Sequence, residues 1–280
     1  MANQNDHLSR HATRLIFAGI AAVSVAVSGC GAGSAPPLPS PPATHPAASP
    51  SDPALAVTPT ATGGAPSAAG GAPSAAGGAP GTAPLAGQVI GIDPGHNGGN
   101  FTDPDAIGNQ VWNGTGWEAC DTTGTTTDAG YTEAQFNFNV AGYLRADLRR
   151  DGARVVMTRT SNDGVGPCVN RRAEMINDSG ADVAVDIHAD GGPVSGRGFT
   201  ILEPVAVGPN DKVIAASARF GSDLRQAMLA GTPMPESDYV GVDGILPRDD
   251  LAGLNLTTVP KVLIECGNMR NATDAGLLVT

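Results

Sequence analysis

Gln88-Val89-Ile90-Gly91-Ile92, closed by Asp93-Pro94-Gly95 and followed at once by His96, is the stretch that decides the fold. A short apolar run stopped by turn residues predicts a buried strand. Residues 97–130 show no clean periodicity and are crowded with Gly, Asn, Asp and Thr. A loop that long inside a compact domain usually carries function. Residues 132–150 read as a helix, with Phe136, Val140, Tyr143, Leu144 and Leu148 on one face. Thr132 with Gln135 makes a capping box, and Gly152 stops the helix. Further on, the pattern predicts a strand over 153–158, a helix over 169–179 ended by Gly180, and strands over 181–187 and 198–202. A helix over 211–229 and a last strand over 261–265 follow. Strands alternating with helices predict an α/β domain: one twisted, mostly parallel sheet flanked by helices on both faces.

Composition limits that domain to part of the 280 residues. Thirteen of the 23 Pro fall within residues 31–86, where Asp52 is the only charged residue. Such a Pro-, Gly- and Ala-rich segment cannot bury enough apolar surface to offset its ordering entropy, and it reads as a disordered linker. It contains the repeat GGAPSAA at 63–69 and again at 70–76. Residues 87–280 form the domain. Residues 1–30 carry +1 and the linker −1, so the domain carries the whole net charge of −11. That excludes a nucleic-acid binder, which needs a basic face, and a surface that seeks anionic lipid.

The first 30 residues read as an export signal. Arg10 and Arg14 precede an uncharged apolar run at 15–27, too short to span a bilayer comfortably, and Ser28-Gly29-Cys30 follows. Val27-Ser28-Gly29-Cys30 resembles a bacterial lipobox, which implies lipidation at Cys30. The expected location is the outer face of the plasma membrane or the periplasm, as a lipoprotein tethered by the linker; otherwise the protein is secreted to the cell wall. The membrane is a partner only through that anchor.

Of five His, only His96 and His188 lie in the domain. Each follows or ends a predicted strand, so parallel pairing places both at the carboxyl edge of one sheet, where α/β folds bind ligands. Glu265 ends the last strand and shares that edge, while Glu133 opens the helix after the long loop. Two His and a carboxylate make a hydrolytic zinc set that leaves a fourth position for water. Spacing does not choose which Glu binds the metal.

Three separated motifs carry a resemblance. They are Ile92-Asp93-Pro94-Gly95-His96-Asn97-Gly98-Gly99, Asp186-Ile187-His188-Ala189-Asp190 and Val262-Leu263-Ile264-Glu265-Cys266-Gly267-Asn268-Met269-Arg270-Asn271. Together with Met157-Thr158-Arg159-Thr160 and Arg171-Arg172-Ala173, they resemble the zinc-dependent N-acetylmuramoyl-L-alanine amidases of the family-3 type, and their mycobacterial branch most. The resemblance implies a bacterial cell-wall hydrolase with one Zn2+ per chain. It implies His96, Glu133 and His188 as metal ligands and Glu265 as the catalytic carboxylate. The implied substrate is peptidoglycan or muropeptide, cut at the amide joining the lactyl group of N-acetylmuramic acid to L-alanine, by a monomer. Two departures stand out. Asp186 occupies a position where the family more often has Ser, and the closing helix that starts near Asn271 is expected to be incomplete.

The same ligands could serve a zinc peptidase acting within the stem peptide. A noncatalytic cell-wall-binding lipoprotein is the third reading, and Glu265 argues against it. Arg159, Arg171 and Arg172 are either salt-bridge residues or contacts to a stem-peptide carboxylate. Trp112 and Trp117 either anchor the long loop or form a wall toward substrate. With Cys30 assigned to lipid, an oxidising compartment favours a Cys120–Cys168 disulfide. Cys266, next to Glu265 on a strand, faces the opposite side of the sheet as a buried thiol. Nothing between 188 and 265 reads as a long acidic helix able to plug the metal, so the site is expected to be open.

Overall fold

The computed structural model describes residues 83–280. The signal segment, the lipobox Cys30 and the linker lie outside the described residues. The strands are β1 (Val89–Pro94), β2 (Gln110–Trp112), β3 (Trp117–Ala119), β4 (Arg154–Met157), β5 (Val183–Asp190), β6 (Thr200–Pro204), β7 (Ile245–Arg248) and β8 (Lys261–Asn268). The helices are α1 (Pro104–Gly108), α2 (Glu133–Arg150), α3 (Val169–Asp178), α4 (Ile214–Gly231), α5 (Ala252–Asn255) and α6 (Ala272–Leu278).

Six strands form one sheet in the order β4-β1-β5-β8-β6-β7. β4, β1, β5 and β8 are parallel. β6 runs antiparallel to β8, and β7 parallel to β6. The sheet is thus mostly parallel, with a reversed pair at one edge. β7 was not legible as a strand because Pro247 interrupts it, and an edge strand is where Pro is tolerated. The long loop is less irregular than its composition suggests. It holds α1 and a β2–β3 hairpin, whose Asn113-Gly114 turn is the signal that marks it.

The two sheet faces differ in chemistry. Ile90 and Ile92 of β1, Val183, Val185 and Ile187 of β5, and Val262, Ile264 and Cys266 of β8 belong to the main core, with Phe136, Val140, Leu144 and Leu148 of α2 and Phe220, Leu224 and Met228 of α4. Alternate positions face the other way. There Gly91 lets Ile176 of α3 approach: a Cβ on Gly91 would sit 2.7 Å from its Cδ1. Asp93, Asp186, His188, Lys261, Leu263 and Glu265 have that same parity and share this face. Cys266 is buried and unbridged on the core side, as expected.

Helix ends follow their residues. Thr132 caps α2 by accepting from the Gln135 N–H, although the Gln135 side chain bonds Asn139 instead of completing the box. Asn271 caps α6, accepting from the N–H groups of Thr273 and Asp274. Among the described residues, no helix is long and apolar enough to cross a membrane.

Candidate active site

The parallel register sets His188 of β5 directly beside Glu265 of β8. His96 follows β1 across a turn whose geometry explains its glycine. A Cβ on Gly95 would lie 2.1 Å from the His188 ring, so only glycine lets the two motifs meet. His96 itself is left-handed, with φ of 59°. That conformation costs a residue with a Cβ roughly 1–2 kcal/mol, and the Arg172 guanidinium helps hold it by donating to the His96 carbonyl at 2.8 Å.

His96, Glu133 and His188 each offer one ligand atom, and these atoms lie within 4.8 Å of one another. Glu133 Oε1 sits 3.2 Å from His96 Nε2 and 2.8 Å from His188 Nδ1. Its other oxygen accepts from the Thr125 N–H at 2.9 Å, which fixes the carboxylate in the gap between α2 and the loop. Behind His96, Nδ1 lies 3.1 Å from the Thr122 carbonyl and 3.2 Å from Asp121 Oδ1. A carbonyl can only accept, so Nδ1 carries a proton and Nε2 is the nitrogen turned toward the cluster. Behind His188, Nε2 lies 3.3 Å from Asp186 Oδ1, while Nδ1 faces Glu133. Each imidazole thus has a carboxylate behind it, the arrangement that orients metal-ligating histidines. Two nitrogens and one oxygen at this spacing fit a three-ligand catalytic zinc site.

Burial works to raise the Glu133 carboxyl, but His96 and His188 outweigh it and hold Glu133 well below the usual carboxylate range. Burial also works to lower both imidazoles. Glu133 and Asp121 nonetheless push His96 up to about 9, and Asp186 and Glu133 raise His188 well above its ordinary value. Glu265 behaves oppositely: burial dominates and pushes it up to about 8. Its Oε2 is buried without a hydrogen-bond partner. A cavity of about 370 Å3 joins His96, Glu133, His188 and Glu265 to Asp190 and Arg248.

Residues 90–280 match the N-acetylmuramoyl-L-alanine amidase family. The chain belongs to that family. It is 40% identical over 203 residues to the N-acetylmuramoyl-L-alanine amidase Rv3717 of Mycobacterium tuberculosis, covering 70% of this chain and 80% of the relative. Among solved structures, it resembles the amidase Ami1 from Mycobacterium smegmatis at 41% identity and a TM-score of 0.66, covering 70% of this chain and 89% of that one. The apo form of Ami1 from Mycobacterium abscessus gives 40% identity and the same TM-score of 0.66, covering 70% and 91%. The family is one of peptidoglycan hydrolases, and in this amidase the His96/Glu133/His188 cluster is its metal-binding triad.

Of the three arginines read as either salt-bridge residues or stem-peptide contacts, two hold the amidase's ligand loop from beneath. Arg159 is buried and donates to the carbonyls of Pro94, Gly95 and Ala134. Arg172 is buried and pairs with Asp93 at 3.3 Å and Asp121 at 3.1 Å. Their donors are spent on the protein, which leaves no fork for a stem-peptide carboxylate. Arg171 is exposed on α3 and pairs with Glu174 one turn on. The disulfide Cys120–Cys168 is present. It joins the end of the hairpin to the start of α3, and the Val169 N–H donates to the Cys120 carbonyl beside it. Trp112 and Trp117 pair edge to face across the hairpin with 5.7 Å between centroids, and both are exposed. Asp121, Lys261 and Arg248 are parts of the site that no sequence motif marks.

Proposed function

We propose that this amidase hydrolyses the amide between the lactyl group of N-acetylmuramic acid and L-alanine, with one zinc ion held by His96, Glu133 and His188. The observation that carries this reading is the two-His, one-Glu cluster beside Glu265, a carboxylate raised by burial and unpartnered at one oxygen. Zinc in such a site lowers the pKa of water and polarises the scissile carbonyl. Glu265 takes the proton from the attacking water and passes it to the nitrogen of the leaving L-alanine. A carboxyl whose proton affinity is raised suits both halves of that transfer. Asp121 stands behind Nδ1 of His96 and Asp186 behind Nε2 of His188, which leaves His96 Nε2 and His188 Nδ1 facing the metal position. The mouth is open to substrate: the longest helix between His188 and Glu265, α4, packs its apolar face into the core, and no residue of α4 lines the cavity.

The disulfide supports an exported domain. Lipidation at Cys30, with residues 31–86 as a tether, would hold it against its polymeric substrate at the membrane. Metal analysis of two variants tests the roles. His188→Ala should lose the zinc, while Glu265→Ala should keep it and lose about 10²–10⁴-fold in turnover. Zinc retained at one per chain in His188→Ala, or lost in Glu265→Ala, would reverse the assignment.

A further inference from the structure

Among the described residues, Arg248 is the only Lys or Arg lining the cavity that holds the ligand triad and Glu265. Apart from the ligand histidines His96 and His188, the ionisable residues there, Glu133, Asp190 and Glu265, are acidic, and the domain around them carries the whole −11. An anionic group entering this cavity needs a cation placed for it. Arg248 is placed. It ends β7, and its carbonyl accepts from the Val205 N–H at 3.0 Å. The carboxylate of Asp250 grips one edge of the guanidinium, with Nε to Oδ1 at 2.6 Å and Nη2 to Oδ2 at 2.8 Å. The segment carrying Asp250 is clamped in turn. Asn113 of the hairpin donates to the Asp250 carbonyl at 2.9 Å, and Asn255 donates to that of Asp249 at 2.7 Å. Two of five guanidinium donors are thus used for orientation, and Nη1 has no hydrogen-bond partner among the described residues. The free edge, Nη1 with Nη2, is the other edge that takes a carboxylate by two parallel bonds.

The chemistry of the substrate says which carboxylate this is. The lactyl carboxyl is consumed in the scissile amide and the sugars carry no other. The substrate's anions therefore lie on the peptide side, first on the glutamate that follows L-alanine. We infer that Arg248 recognises that stem-peptide carboxylate, so that the amidase discriminates between stems carrying it free and stems carrying it as a carboxamide. The inference rests on the amidase reading above.

The test compares kcat/KM for N-acetylmuramoyl-L-alanyl-D-glutamate with its γ-carboxyl blocked as the methylamide and its α-carboxylate free, and the same compound with the α-carboxyl as a carboxamide, using the metal-loaded full chain. The native protein should favour the free carboxylate by about 10- to 100-fold, the range of a charged hydrogen-bonded pair. Arg248→Met should bring that ratio close to one, mainly through KM for the carboxylate substrate. Arg248→Lys, with charge but no fork, should fall between. Turnover of both substrates by the native protein without discrimination, or a preference that survives Arg248→Met, would overturn the inference while leaving the amidase reading intact. Failure of the native protein to release the L-alanyl product from either substrate would overturn both.

Discussion

Lys261 and Asp93 form an ion pair of 2.8 Å with almost no exposure to solvent, directly beneath the metal-binding triad. Lys261 Nζ also lies 3.4 Å from Asp186, the carboxylate behind His188. Asp93 also meets Arg172, which holds Asp121 behind His96. Both histidines are therefore backed by carboxylates that belong to one buried network centred on Asp93. Asp186, unusual at its position by resemblance, is accounted for by the cation opposite it.

Removing that cation should be costly. Lys261→Met leaves Asp93 and Asp186 facing each other with one cation fewer, and breaking a buried pair costs about 3–5 kcal/mol. Chemical denaturation should show a loss of that size. A loss under about 1 kcal/mol would mean that solvent reaches the network.

The same network fixes the acid sensitivity of the fold. Burial works to raise the Asp93 carboxyl, but Lys261 and Arg172 outweigh it and depress it far below its ordinary value of 3.8. A depressed carboxyl contributes stability that is full above the unfolded value and is lost as pH falls through the folded one. Unfolding free energy should therefore be level with respect to this group above about pH 5 and fall progressively below about pH 4. Denaturant titrations across pH 2–7 check it; stability that rises on acidification through this window would contradict the sign.

Metal uptake should release protons. In the metal-free protein Glu133 and Asp121 outweigh burial and push His96 up to about 9, so below that pH a ligand must give up a proton before it can bind. Apparent zinc affinity should rise with pH toward about 9, and calorimetry in buffers of different ionisation enthalpy should detect the released protons. Proton-independent binding at neutral pH would rule out a charged metal-free cluster.

Reduction should act first on the hairpin. Cys120–Cys168 closes a separation of 48 residues, worth about 4 kcal/mol on the chain-entropy model. The segment it pins has few buried apolar side chains apart from Ile107 and Cys120. Hydrogen exchange after reduction should quicken in residues 109–120 while β1, β5 and β8 stay protected. Uniform loss of protection would show that the bridge supports the sheet as a whole.

The parts of the fold that were legible in the sequence are those governed by local pattern. Apolar runs with turn residues marked β1, β5 and β8, and the 3.6-residue apolar stripe marked α2. The metal ligands were reachable because chemistry narrowed them: the domain has two His, and both fall at strand ends. What stayed hidden depends on partners far along the chain. Lys261 reads as the ordinary polar start of a strand until β8 pairs with β5 and Asp93 arrives from 168 residues away. Arg172 on α3 looks available for substrate until α3 packs against Gly91 and buries it. Arg248 lay in a segment with no periodicity, since an edge strand containing proline carries little signal.

Mass spectrometry of muropeptides digested by the zinc-loaded protein, with and without chelator, tests the central claim most directly. The account predicts peptides with a new L-alanine amino terminus alongside intact N-acetylmuramic acid bearing a free lactyl carboxyl, and no such products once the metal is removed. Cleavage at any other bond of the stem peptide, or the same products at the same rate in the presence of chelator, would contradict it.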